Sequence, residues 1–277
     1  MKISLKKDSQ IKSSARSQTL VVFYSCTESK TKSRSKQISA PNVAKSILNL
    51  LTSALSEGTL SGSRMEATLL GNVNVNEYKN LLAISLGSST TVLNEDLRQA
   101  AAAAHKTLLS SRLQNADFLC DNIFARSGRN TQAAVSAVVE GLLLSDYEFD
   151  EYKSKETRES RQSLKSAGLL CSNKTNTLNI SKGLQAGQTL AECINFSRRL
   201  GDTPGNLMTP AELAKTTQTA ARGTKLKVTV WDKARIKKER MGGLYGVSLG
   251  SSAEPRFIIM EYKGATSSKK PVCFVGK

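Results

Sequence analysis

The chain of 277 residues contains one histidine, one tryptophan and five prolines, and its aromatic share is 5%. The lone histidine, His105, has no second histidine or carboxylate at ligand spacing. That excludes a paired-histidine zinc motif and leaves a structural or exposed side chain as the reading of this residue. The five cysteines, Cys26, Cys120, Cys171, Cys193 and Cys273, are odd in number and contain no CxxC pair. A disulfide framework or zinc ribbon is therefore not expected, and reduced thiols of a cytosolic protein are. Three of them, Cys26, Cys120 and Cys273, lie in or beside apolar runs. No apolar run approaches the ~18 residues of a membrane span, and the first twenty residues lack the apolar core of a secretory signal. The basic, serine-rich start, with Asp8 as its only acid, bears a weak likeness to an organelle transit peptide. GxGxxG and the Walker lysine are missing, so neither phosphate-binding fingerprint is present. Acids are also scarce, with 23 Asp and Glu against 40 Lys and Arg, a formal charge of +17. Such a balance favours polyanions, nucleic acid or an anionic membrane, and serves solubility equally well.

What is present reads as strands alternating with helices. Thr19 to Ser25 (TLVVFYS) and Leu81 to Leu86 (LLAISL) have the continuous apolar character of buried strands, and Leu69 and Leu70 close a short one. Pro41 to Leu55 carries Val43, Ile47, Leu50, Leu51 and Leu55 on one helical face. Asn94 to Leu113 is a second helix, capped by Asn94 with Glu95 and Asp96 in its first turn. Ala116 to Phe124 reads as a strand and Thr131 to Leu144 as a helix. In Glu140 to Lys153 (EGLLLSDYEFDEYK) the rings of Tyr147, Phe149 and Tyr152 are expected to plug the core while the acids face water. This order implies an α/β fold on a mostly parallel sheet.

The polar run from residue 153 to 173 marks the end of a first domain, so the domains are expected at 1–172 and 173–277. Leu178 to Ile180 reads as one more strand, Gly183 to Leu200 as a helix, and Thr209-Pro210-Ala211-Glu212 as a capped restart. Leu226 to Trp231 alternates like a strand, and Asp232 caps a basic helix reaching Arg240. The closing stretch holds two more short strands, Phe257 to Met260 and Val272 to Val275, among Gly and Ser clusters. Lys277 follows the second, where open α/β sheets place ligands, and a solvated lysine fits the spacing too. Residues 27 to 39, with four Lys or Arg, read as a solvated loop able to meet phosphate, and Gly87-Ser88-Ser89 as a turn that could cradle one.

Four segments together resemble the leucyl aminopeptidase (cytosol aminopeptidase) family of two-metal exopeptidases. They are EGLLLSDYEFDEYK at 140–153, RLGDTPGNLMTPAELA at 199–214, MGGLYGVSLGSSAEPRFIIMEY at 241–262 and PVCFVGK at 271–277. The first is similar to the family's end-of-domain signature, and the second to the L-x-N-x-P-x-N entry into its catalytic domain. Asp202 stands where the family usually has Asn, Gly205 where it often has Pro, and Ser85-Leu86-Gly87 where Gly-Leu-Gly is common.

The resemblance implies a macro-like α/β domain over 1–172, followed by a linker helix and the truncated beginning of the metallopeptidase domain over 173–277. It implies that Lys277 is the first metal ligand, and that the other ligands and the catalytic residues lie beyond it. The complete enzyme would bind two divalent ions, zinc or manganese, and a metal-activated water would attack peptides with a free N-terminus. Coordination would need the neutral amine of Lys277. A cytoplasmic homo-hexamer acting in peptide catabolism is implied too, and the printed chain would be inactive. The alternative is a basic DNA-binding or regulatory module using residues 27 to 39, Lys225 to Arg240 and the N-terminal tail. A further one is nucleotide binding by the first domain at Gly87.

Overall fold

The computed structural model describes residues 1–7, 18–28, 36–88, 91–124, 130–172, 175, 177–264 and 270–276. The chain divides into two compact units, Met1–Phe196 and Ser197–Lys277.

The first unit is built on a sheet whose order is β1-β7-β6-β2-β5-β4, from β1 (Lys2–Lys7), β2 (Thr19–Glu28), β4 (Ala67–Leu70), β5 (Asn80–Ser85), β6 (Asn115–Leu119) and β7 (Ser166–Cys171). All neighbours in that order run parallel except β4, which pairs antiparallel with β5 at the edge. The mixed but mostly parallel α/β sheet expected from the element order is the one observed. Its two faces are apolar and both are covered. On one side α2 (Asn94–Ser110) and α4 (Thr131–Ser145) bury Val21, Phe23, Leu82, Ile84 and Phe118. On the other, α1 (Lys45–Ser56) lies over Leu20, Val22, Tyr24, Leu81 and Ala83.

Where β6 leaves β2, after the pair Val21 and Phe118, the sheet is kept closed by a side chain. Asn122 belongs to α3 (Cys120–Phe124), and its Oδ1 accepts the Phe23 amide at 2.8 Å while its Nδ2 donates to the Pro41 carbonyl at 2.9 Å. Beyond this point β3 (Lys36–Ser39) pairs antiparallel with the end of β2, from Ser25 opposite Ser39 to Glu28 opposite Lys36. The ends of the expected loop 27 to 39 are thus strand, and residues 29–35 lie outside the described residues.

On the α1 side of β6, β7 and β1 the sheet carries an ion pair beside the apolar Leu119 and Leu170. Lys6 Nζ donates to Asp117 Oδ1 at 2.7 Å and Tyr78 Oη to Asp117 Oδ2 at 3.0 Å, with Asp117 wholly buried. Gly168 makes this possible, because a Cβ there would lie 2.0 Å from Asp117 Oδ1 and 2.8 Å from the Lys6 stem.

Several expectations need correction. Ala116 to Phe124 is not one strand, since the chain turns into α3 at Cys120. Asn94 does not cap α2: Leu93 occupies the cap, and the Leu93 amide donates to Asp96 Oδ2 at 2.8 Å. Leu178 to Ile180 belongs to α6 (Thr177–Asp202). The first half of α6 packs closely on α4 through Gly183 and Gly187, within the first compact unit. The three rings of 140–153 do not plug the core, for Phe149 and Tyr152 meet edge to face at 5.7 Å and Tyr152 is 55% exposed. The group that turns inward there is an acid, Asp146. A short α5 (Lys155–Glu159), capped by Ser154, leads into β7.

The second unit contains α7 (Pro210–Ala221), β8 (Leu226–Trp231), α8 (Lys233–Lys238), α9 (Gly242–Ser248) and β9 (Phe257–Tyr262). The expected caps are in place: Thr209 Oγ1 accepts the Glu212 amide at 3.3 Å and Asp232 Oδ1 the Arg235 amide at 2.8 Å. β8 and β9 form an antiparallel pair in which Trp231 faces Phe257 and Lys227 faces Glu261.

Candidate functional site

Lys277, the metal ligand implied by the resemblance, lies outside the described residues. The residues before it do not form the expected strand. Val272, Phe274 and Val275 belong to no strand or helix and are 80%, 91% and 94% exposed. A strand needs a neighbour to take its amides and carbonyls, and among the described residues β8 and β9 pair only with each other.

The frame leading to this stretch is nevertheless well formed. The Trp231 and Phe257 rings pack at 5.3 Å across the strand pair, and the Arg235 guanidinium sits 5.4 Å over Trp231 while paired with Glu239 at 2.6 Å. Lys237 lies 4.6 Å over the Tyr245 ring. Within the Glu254-Pro255-Arg256 motif, Arg256 Nη1 donates to Glu254 Oε2 at 3.3 Å. Lys227 and Glu261 are 3.5 Å apart. Among the described residues no group of three or more His, Cys, Asp or Glu side chains could hold a metal ion. These residues do not fit a two-metal centre by themselves, and no catalytic step is assigned to them.

The first unit has two clefts at the carboxyl ends of its strands. The larger, about 850 Å³, lies at the ends of β2 and β5 and includes Cys26, Lys36, Arg64, Gly87, Ser88 and Asp96 in its wall. This is where the sequence places a phosphate turn, but its donors are engaged internally. Lys36 Nζ donates to the Ser61 carbonyl at 2.7 Å, Arg64 pairs with Asp96 at 2.5 Å, and the Gly87 amide donates to Ser85 Oγ at 3.1 Å. The Ser61 and Gly62 amides cradle the chain's own carboxylate, Glu66, at 2.9 and 2.8 Å. Burial alone would push the Glu66 carboxyl up. Those amides, with the Ser61 and Tyr24 hydroxyls, outweigh it and hold the group below its ordinary range. Burial, then the charge of Glu66, pushes the Tyr24 hydroxyl well up. Ser89 lies outside the described residues.

The smaller cleft, about 500 Å³, opens beside the start of α1 and the ends of β6 and β7, with Asn42, Glu77, Tyr78, Asp121 and Cys171 in its wall. Asp121 holds its far side together, its carboxylate accepting the Ser172 amide at 2.7 Å and the Thr175 hydroxyl. The turn from β4 to β5 borders it with left-handed backbone at Asn72, Asn74, Asn76 and Glu77. Val75 and Tyr78 exchange backbone hydrogen bonds of 3.0 and 2.8 Å around Asn76-Glu77, the type I′ geometry for which asparagine is suited and glutamate is not.

His105 is structural, in keeping with its isolation in the sequence. It is wholly buried, its Nε2 lies 3.2 Å from Asp146 Oδ1, and its Nδ1 has no partner among the described residues. Asp146 also faces the Met1 amine at 3.7 Å and Arg161 at 3.7 Å. Of the five thiols, Cys26, Cys120 and Cys171 are buried while Cys193 and Cys273 are exposed. Cys171 therefore replaces Cys273 among the three assigned to apolar surroundings. Sequence reasoning missed the positioning side chains Asp117, Asn122 and Asp146. Only Asp117 carried a local signal, as a carboxylate inside the apolar run Ala116 to Cys120.

Comparison with known proteins matches both parts of the chain to one family. Residues 20–156 match the N-terminal domain of the cytosol aminopeptidase family, and residues 195–277 match its catalytic domain. A probable cytosol aminopeptidase of Bdellovibrio bacteriovorus is 43% identical over 230 residues, which is 82% of this chain and 45% of that protein. One from Aromatoleum aromaticum is 33% identical over 197 residues, 71% of this chain and 39% of its own length. The chain thus spans less than half the length of these relatives. In fold it is similar to a mutant of tomato leucine aminopeptidase, with a TM-score of 0.73 at 22% identity over 97% of this chain and 52% of that one. It is similar also to the bottromycin maturation enzyme BotP in complex with Mn, with a TM-score of 0.66 at 18% identity over 89% of this chain and 45% of that one. Two models of one family, in their expected order, together with a relative at 43% identity, show that this chain belongs to the cytosol aminopeptidase (leucyl aminopeptidase) family and matches its N-terminal domain and, over residues 195–277, its catalytic domain.

Proposed function

We propose that these 277 residues are the N-terminal portion of a metalloaminopeptidase that removes residues from the free amino end of peptides. The observation that carries this reading is the match of residues 195–277 to the opening of the family's catalytic domain, directly behind its N-terminal domain. Two divalent ions, zinc or manganese, would be held by Lys277 together with residues that this sequence does not contain. Manganese in the BotP complex supports divalent metal use without choosing between the two. The role left to the described residues is to build the frame, β8, β9 and α8, that presents the segment ending in Lys277. A homo-hexamer, a cytoplasmic location and domain limits at 1–172 and 173–277 belong to the same proposal. No helix among the described residues is long and apolar enough to cross a membrane. The alternative of a DNA-binding or regulatory module finds no support in the family matches, both of which are to a peptidase family.

The test is hydrolysis of a leucine anilide with Mn or Zn added. The 277-residue chain should release nothing, and a chimera with the C-terminal part of the Bdellovibrio relative joined behind Lys277 should recover turnover. Turnover by the 277 residues alone, or a folded and metal-loaded chimera without any, overturns the proposal.

A further inference from the structure

Cys120 and Cys171 are a pair of thiols for which the aminopeptidase reading has no use. β6 and β7 run parallel with Leu119 opposite Leu170, so the next residues, Cys120 and Cys171, leave adjacent strands side by side. Both are free, both are 0% exposed, and both face the core beneath α2 and α4. The Cys171 thiol donates to the Leu169 carbonyl at 3.7 Å and lies near enough to the Cys120 thiol to affect its ionisation. The last paired residues before them, Leu119 and Leu170, belong to neighbouring strands, which lie about 4.8 Å apart, a spacing inside the ~4.4–6.8 Å between Cα atoms that a disulfide spans. An apolar core also favours the reaction's end state, since two neutral thiols become one neutral disulfide and no charge remains buried.

We propose that Cys120 and Cys171 are a redox pair that closes to an intramolecular disulfide when a peroxide reaches them, stapling the end of β6 to the end of β7, and reopens with thiol reductant. Both residues are 0% exposed, so peroxide reaches them only when the fold opens locally; Cys171 borders the 500 Å³ cleft and Cys120 does not, so Cys171 is oxidised first. Its sulfur takes one oxygen from hydrogen peroxide to give the sulfenic acid and one water. The Cys120 sulfur then attacks that sulfur; hydroxide leaves and takes up the Cys120 proton as a second water. Two thiols and one peroxide thus become one disulfide and two waters. Burial and the neighbouring thiol push the Cys120 thiol up, so thiolate is scarce at neutral pH and closure is slow. The bond would tie the backbone on either side of Asp121 and Ser172, which already share a 2.7 Å hydrogen bond.

The experiment treats the full 277-residue chain, with the exposed thiols removed as C193S/C273S, with hydrogen peroxide at several pH values. After unfolding and alkylation, peptides are mapped without reduction. The expected product is a monomer containing a Cys120–Cys171 linked peptide lighter by two hydrogens and lost on adding dithiothreitol. Its rate of formation should rise about tenfold per pH unit below the thiol pKa. Full alkylation of both cysteines after prolonged treatment, sulfinic acid at either without any linked peptide, or links found only in dimers overturns the proposal. The variant C171A should leave Cys120 open to alkylation; should it not fold, the parent map still decides.

Discussion

The Asn122 side chain stands in for a missing length of β6, its Oδ1 2.8 Å from the Phe23 amide at the point where the strands part. A buried amide in the middle of the central strand would otherwise have no partner. Asn122→Ala should therefore cost about 1–3 kcal/mol, the desolvation penalty of one buried unpaired N–H with the loss of the Pro41 contact added. Asn122→Asp keeps the acceptor for Phe23 but loses the donor to Pro41 and buries a charge. It should be no better. Urea unfolding of the two variants checks this, and a loss under about 0.5 kcal/mol for the alanine would show that the bond is dispensable.

Asp146 makes stability depend on acid. Burial raises its carboxyl, but contact with His105, then the N-terminal amine and Arg161, more than reverse that and leave it below its ordinary value. A carboxyl depressed in the folded state stabilises fully above the unfolded value of about 3.9 and loses that contribution as pH falls through the folded value. The wild-type chain should lose stability steeply below about pH 4. Asp146→Asn should be weaker at neutral pH by about 1–3 kcal/mol and show a shallower acid limb. Thermal melts from pH 7 down to pH 3 separate the two curves, and parallel curves would remove Asp146 from the account.

Glycines in α6 divide by what surrounds them. A Cβ on Gly183 would lie 2.5 Å from the Gln132 carbonyl oxygen, and one on Gly187 2.7 Å from that of Ser136, whereas one on Gly201 meets nothing within 4 Å. Alanine in an open helical position stabilises by up to about 1 kcal/mol. Gly183→Ala and Gly187→Ala should reverse that sign and cost about 1–3 kcal/mol, because α6 must lift from α4. Gly201→Ala should be neutral or mildly stabilising. Denaturant midpoints of the three variants test the ordering.

The parts of this fold that could be read beforehand are those whose burial is written locally. β2 and β5 are central strands covered on both faces, so TLVVFYS and LLAISL are apolar throughout. β1 could not be read, because KISLKK has Ile3 and Leu5 alone as apolar residues, on the core face, with Lys2 and Lys6 on the other, Lys6 over Asp117. β7 is hidden for another reason. It begins at Ser166 inside a polar run, and its partners are residues 115–119 and 2–7, far away in the sequence. The glycine-rich helix α9 resembled a turn cluster by composition. Val272 to Val275 shows the opposite error, for apolar character marks a strand only where a neighbour exists to pair with it. Lys277 gained its role from family resemblance alone.

The pairing of β1 with β7 sets an order on how the chain can be made. Lys2 is synthesised long before Ser166 but sits opposite it, and Lys7 sits opposite Cys171. At about 5–20 residues per second the first strand must wait roughly 8–30 s for its neighbour to be translated. During that time β2, β5 and β6 can assemble between themselves, and β1 remains an unclaimed amphipathic end. β1 leaves the ribosome before every other strand of its sheet and is among the last to enter it.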